Sequence, residues 1–238
     1  ANQFRLHYKF KQVVCPSCFS GRTEREKQKK EKLQKEITRP KGWDDVDEYL
    51  EKVKKTKQWI TQLRTEMDHV EHFRELMGLE GKIAKHFFHA YYEFADWNSR
   101  LPRVKQDSLN ATMDIGYTFL FNYIECMTRL FGFDPYMGVY HQLWFRRKSL
   151  VCDLMEPFRC IVEHQIRKSL KYGTFKPTDF ELKKNAYYLK PEMRKIYMKV
   201  FFEAIIYHKS DIYRYMQQYY RCFMGRKSVT NYPIFNYE

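Results

Sequence analysis

Turn-forming residues are scarce in this chain: 238 residues contain only nine Gly and eight Pro, against 30% charged side chains. Such a sequence cannot supply the many tight turns of a β-sandwich or barrel, so long helices are expected. From residue 66 onward, aromatic and apolar residues recur at helical spacing. A helix over 66–77 is expected to end at Gly78, and Leu79, Ile83, Phe87, Tyr91 and Phe94 line one face of the next, over 79–95. A third, over 108–131, stops at Gly132 with Pro135 just beyond, and the helix bearing Asp153 extends to about residue 170. Residues 174–189 alternate around Phe175, Phe180, Leu182 and Tyr187-Tyr188-Leu189, which predicts a small β-hairpin. Pro191 suits the first turn of a helix over 191–207, and another is expected over 210–222. The expected fold is mainly α: a charged helical segment over 1–65, a multi-helix domain over 66–225 and an irregular tail over 226–238.

The first segment is largely solvated in character. Residues 22–38 alternate Lys, Arg, Glu and Gln with only Leu33 and Ile37 apolar, and Arg39-Pro40-Lys41-Gly42 ends that helix. A second charged helix follows, with a thin stripe of Tyr49, Leu50, Val53, Ile60 and Leu63. The formal net charge of +14 and the 18% aromatic content point to a polyanionic partner. No apolar run is long enough to span a bilayer and no signal peptide is evident, so no membrane is expected. The six cysteines are scattered, which favours a reducing cytoplasm over a disulfide framework. Cys15-Pro16-Ser17-Cys18 has the spacing of half a zinc site without a second half, whereas Cys126, Cys152, Cys160 and Cys222 read as core residues.

The chemistry-bearing stretch begins at His141 and continues through Ser149-Leu150-Val151-Cys152-Asp153-Leu154-Met155-Glu156-Pro157-Phe158-Arg159. Acids three apart on a helix share a side, about one turn from each other. An imidazole close to two carboxylates offers a seat for Mg2+ or Mn2+. Asp153 reads equally well as an acid complementing the dipole of a helix start or as a group positioning metal or water. Arg146, Arg147 and Lys148 form a charged loop or, beside a metal, a phosphate-neutralising cluster, which Arg159 extends.

Four motifs in order carry a resemblance. They are Met77-Gly78-Leu79-Glu80-Gly81; Asn110-Ala111 followed by Gly116-Tyr117; Phe131-Gly132-Phe133-Asp134-Pro135 followed by Gly138 and His141; and Asp153-Leu154-Met155-Glu156-Pro157-Phe158-Arg159. Together they resemble the CRISPR-associated spacer-acquisition integrase family over roughly residues 60–225. The resemblance implies a helical catalytic domain that inserts short foreign DNA fragments into a CRISPR array by 3′-hydroxyl attack on a phosphodiester. It places the metal on Glu80, at an expected helix start, His141 and Glu156, with Asp153 as an acidic catalytic neighbour. Arg146, Arg147, Lys148, Arg159 and Tyr117 are the expected DNA-binding residues. Double-stranded DNA, a second copy of the chain and the family's small companion protein are the implied partners, in a prokaryotic cytoplasm. The β-rich domain with which family members begin is not evident. A non-catalytic DNA-binding helical module and a hydrolytic metal-dependent nuclease are the alternatives.

Overall fold

The computed structural model describes residues 43–67, 69–70, 72–95, 97 and 99–237. The charged helix expected over 22–38 and the Cys15/Cys18 pair lie outside the described residues, as do the side chains of Tyr49, Leu50 and Val53. The described chain divides into two compact units, with the division along the chain between Ser99 and Arg100.

In the first unit, α1 (Trp43–Met67) packs against α2 (Phe73–Tyr91). Ile60 and Leu63 of α1 are buried, and on α2 so are Leu76, Ile83, Phe87, Phe88 and Tyr91. Trp97, after α2, closes the cluster edge-on to Phe88 and Tyr92, each 5.8 Å between ring centroids. The break expected at Gly78 does not occur: α2 runs straight through Gly78 and Gly81. A helical glycine costs about 1 kcal/mol relative to alanine, less than the burial of several large side chains returns. Glu80 therefore sits inside α2, half-buried, and not at a helix start.

The second unit is built around α3 (Ser108–Leu130), with Leu109, Met113, Leu120 and Ile124 in the core. Its start is fastened by Asp107, which accepts from the Asn110 backbone N–H and side-chain amide, both at 2.6 Å. Asn110 Oδ1 in turn accepts from the Leu101 N–H and the Arg100 guanidinium. The helix ends as its sequence requires. Gly132 adopts φ +75, its N–H reaches Arg129 O, and the Phe133 N–H reaches Thr128 O. This is the paired C-terminal closure that favours glycine.

Two helices stand where one was expected after residue 148. α4 (Ser149–Met155) and α5 (Arg159–Lys171) are separated by a single 3-10 turn at Glu156–Phe158. Pro157 has no N–H to give an α-helical ladder, which explains the interruption. The expected hairpin is present: β1 (Phe180–Lys183) pairs antiparallel with β2 (Ala186–Leu189), with Phe180 opposite Leu189. Lys184 and Asn185 both take positive φ, the two-residue turn that suits the strands' twist. α6 (Arg194–Tyr207) and α7 (Lys209–Met224) complete the bundle, and α6 packs against α3 and α5. The tail has no regular element beyond a 3-10 turn, yet it is packed. Tyr232 lies against Tyr219, and Phe235 lies 4.8 Å from Phe158 between ring centroids. Cys160 and Cys222 are buried as expected, whereas Cys126 is exposed. Among the described residues no helix is long and apolar enough to cross a membrane.

Candidate active site

The site grows from the loop between α3 and α4. Phe133 anchors its start by packing against Tyr219, Tyr220 and Phe223 of α7. Its end is held where the Leu150 N–H donates to Pro135 O and Ser149 Oγ donates to Gln142 O. Between these points the chain folds over Asp153. One carboxylate oxygen accepts the N–H groups of Val139 (2.6 Å) and Tyr140 (2.9 Å). The other accepts the His141 N–H (3.1 Å) and faces His141 Nδ1 at 2.6 Å. Gly138 makes this wrap possible: a Cβ there would lie 2.4 Å from His141 O and 3.1 Å from Asp153 Oδ2.

Asp153 is not at the helix start that a dipole role would require. It lies in the second half of α4, 2% exposed, and orients the histidine and its loop. With Nδ1 spent on this carboxylate, the imidazole keeps Nε2 for an outside partner. Ligating histidines use the same arrangement, because the carboxylate fixes both ring orientation and tautomer.

Beside this pair, Arg159 Nη1 contacts both Glu156 carboxylate oxygens, at 3.0 and 3.3 Å. The guanidinium also lies 4.6 Å above the Tyr117 ring, and Tyr117 Oη donates to Glu163 Oε1 at 2.7 Å. Burial opposes the charge of Arg159, but Glu156, then Tyr117 and Glu163, outweigh it and hold the guanidinium well above its usual range. Burial, reinforced by the Glu163 charge, pushes the Tyr117 phenol far up, so it remains a proton donor. Tyr117 is only 8% exposed. Its ring seats the Arg159 guanidinium. Glu163, which the sequence did not single out, completes this network. Its signal was present in the i, i+4 spacing from Arg159.

The basic loop divides by role. Arg146 and Arg147 are exposed, whereas Lys148 is ion-paired to Glu125 at 2.6 Å and braces α4 against α3. The Lys148 ammonium holds the Glu125 carboxyl below its usual range against the opposing effect of burial, and Arg129 adds to it.

Glu80, His141 and Glu156 were expected to share one ion. Glu80 belongs to the first unit, and the other two to the second. Among the described residues no three His, Cys, Asp or Glu side chains form a ready metal-holding group. In the second unit the Asp153 carboxylate accepts backbone N–H groups and Glu156 pairs with Arg159. The assembled element is the His141–Asp153 pair.

The chain matches the family model for CRISPR associated protein Cas1 over residues 23–203. It is 32% identical over 181 residues to a CRISPR-associated endonuclease Cas1 of Archaeoglobus fulgidus, covering 68% of this chain and 52% of that one. A CRISPR-associated endonuclease Cas1 of Thermodesulfovibrio yellowstonii is 30% identical over 145 residues, 58% of this chain and 45% of the relative. The chain thus spans about half the length of these curated relatives. Its fold matches a chain of a partial Cas6-RT-Cas1–Cas2 complex with TM-score 0.72 at 21% identity, over 98% of this chain and 69% of that chain. It also matches a casposase bound to integration product with TM-score 0.63 at 19% identity, over 98% of this chain and 64% of that one. With the family matched across more than half its length, the chain belongs to the CRISPR-associated Cas1 family.

Proposed function

We propose that this chain carries the catalytic centre of a metal-dependent DNA integrase that joins short DNA fragments to a CRISPR array. The observation that carries this reading is the clamped imidazole. A buried carboxylate facing three backbone N–H groups and the Nδ1 of residues 139–141 is an expensive way to stabilise a loop, and it leaves the second ring nitrogen outside that contact.

The reaction is a transesterification. The 3′-hydroxyl of the incoming fragment attacks a backbone phosphate, one P–O bond forms as another breaks, and the departing 3′-oxygen takes up a proton. Within the second unit, His141 and Glu156 are the residues that would hold Mg2+ or Mn2+; nitrogen and carboxylate donors suit these ions. Such an ion neutralises phosphate charge and makes the attacking hydroxyl more acidic. Asp153 fixes the His141 ring. Arg159, seated by Tyr117 and Glu163, counters charge beside Glu156. Arg146 and Arg147 bind backbone phosphate without reading sequence. Double-stranded DNA, a second copy of the chain and a small companion protein of the Cas2 kind are the proposed partners, and the cytoplasm is the proposed location.

The test is incubation of the protein with a short duplex, a supercoiled repeat-bearing plasmid and Mn2+ or Mg2+. Covalent joining of the duplex to the plasmid, abolished by chelation, is the expected result. Nicking without joining would instead identify a hydrolytic nuclease. Chelator-insensitive binding without any cleavage would identify a non-catalytic DNA-binding module.

A further inference from the structure

Arg159 stands between two acids, Glu156 one turn before it and Glu163 one turn after. Its bonds to them are uneven. Nη1 reaches both Glu156 oxygens, at 3.0 and 3.3 Å, whereas Nε lies 3.9 Å from Glu163 Oε1, too far for a hydrogen bond. Nε is shut away from solvent and has no hydrogen-bond partner. A buried donor left in that state costs free energy, which a shift of about an ångström toward Glu163 would recover. Glu163 is itself buried, and its Oε1 already accepts from Tyr117 Oη at 2.7 Å. A carboxylate oxygen has two lone pairs, so the same atom can take a second donor. The Tyr117 ring, 4.6 Å from the guanidinium, gives the fork a face along which to move without losing contact.

We propose that Glu163 is a positioning residue of the ion site: it takes up Arg159 when a divalent cation claims Glu156. A carboxylate bound to a guanidinium is a poor ligand for a hard cation, because the two cations compete for the same oxygens and repel each other. Moving Arg159 to Glu163 relieves both effects and satisfies Nε. It also leaves the part-buried charges paired before and after the ion arrives, which matters because an uncompensated buried charge is strongly destabilising. Glu163 therefore acts on the ion only through Arg159. This role rests on the reading of Glu156 as a metal ligand given above, and adds to it a carboxylate that never touches the metal.

The test is Mn2+ binding by the full chain without DNA, followed through the paramagnetic resonance signal of the free ion. Glu156→Gln defines the component that depends on that carboxylate. Arg159→Gln removes the competing charge, and Mn2+ binds about tenfold more tightly. Glu163→Gln still accepts the Tyr117 hydroxyl but holds a guanidinium less well, and Mn2+ binds about fivefold more weakly. In the double variant Arg159→Gln/Glu163→Gln the affinity matches Arg159→Gln, because Glu163 has nothing left to position. Wild-type affinity in Glu163→Gln would overturn the proposal, and that arm stands whether or not the arginine variants fold. A loss of equal size on adding Glu163→Gln to either background would overturn it too, since Glu163 would then act merely as a nearby charge. Failure here is separable from failure of the metal reading. If Glu156→Gln bound Mn2+ like wild type, Glu156 would not be a ligand at all. If Glu156→Gln lost the ion while Glu163→Gln did not weaken it, only the role of Glu163 would fall.

Discussion

Replacing His141 with alanine is expected to abolish DNA joining, by about a thousandfold or more, while leaving the fold intact. The ring is mostly covered, but its contribution to stability is one hydrogen bond to a carboxylate that keeps three backbone donors. Its loss costs about 1–2 kcal/mol, a modest part of a domain's stability. His141→Asn gives the matching control. Its amide can donate to Asp153 and recover part of that cost, but it offers no imidazole nitrogen to a metal or a proton. Joining should stay absent while the melting temperature returns toward wild type. Joining rate and thermal melting, measured on the same preparations, check both halves. Near wild-type joining by His141→Ala would remove His141 from the site.

Asp153→Ala is expected to be the most damaging single change to stability in the site. The substitution strands the N–H groups of Val139, Tyr140 and His141 around a space from which water is largely excluded. Unsatisfied buried donors cost about 1–3 kcal/mol each, so the loss is roughly 3 kcal/mol or more even if part of the loop relaxes toward solvent. Melting should fall by about 10 °C. Asp153→Asn retains one acceptor oxygen but turns an amide N–H2 toward a donor, so its thermal loss is smaller. Joining falls by about 10–100-fold, because the imidazole loses its fixed tautomer. The two variants therefore separate the structural and positioning parts of one carboxylate. If Asp153→Asn melted and joined like wild type, the clamp would not matter.

What the sequence made legible was local. The end of α3 at Gly132 and the hairpin within residues 174–189 each depend on residues within a few positions of one another, and each appears as expected. The misses come from distance along the chain. Gly78 looks like a helix stop until the buried face of α2 is known to run past it. Nothing near Tyr117 in sequence shows that Glu163, far along the chain, takes its hydroxyl. Asp153 looks like a helix-dipole or metal residue because nothing in its neighbourhood shows the 139–141 backbone closing on it. The family motifs identified His141, Asp153 and Glu156 together, but not that Asp153 would serve the histidine and Glu156 an arginine.

The most direct measurement is the joining reaction carried out with two DNA fragments that differ only at the 3′ end, one bearing a hydroxyl and the other hydrogen. Transesterification at the His141 site predicts covalent product from the hydroxyl fragment alone, with no product from either fragment in His141→Ala. Strand cleavage of the plasmid that proceeds equally with the 3′-hydrogen fragment, with water as the nucleophile and no joined product, would contradict it.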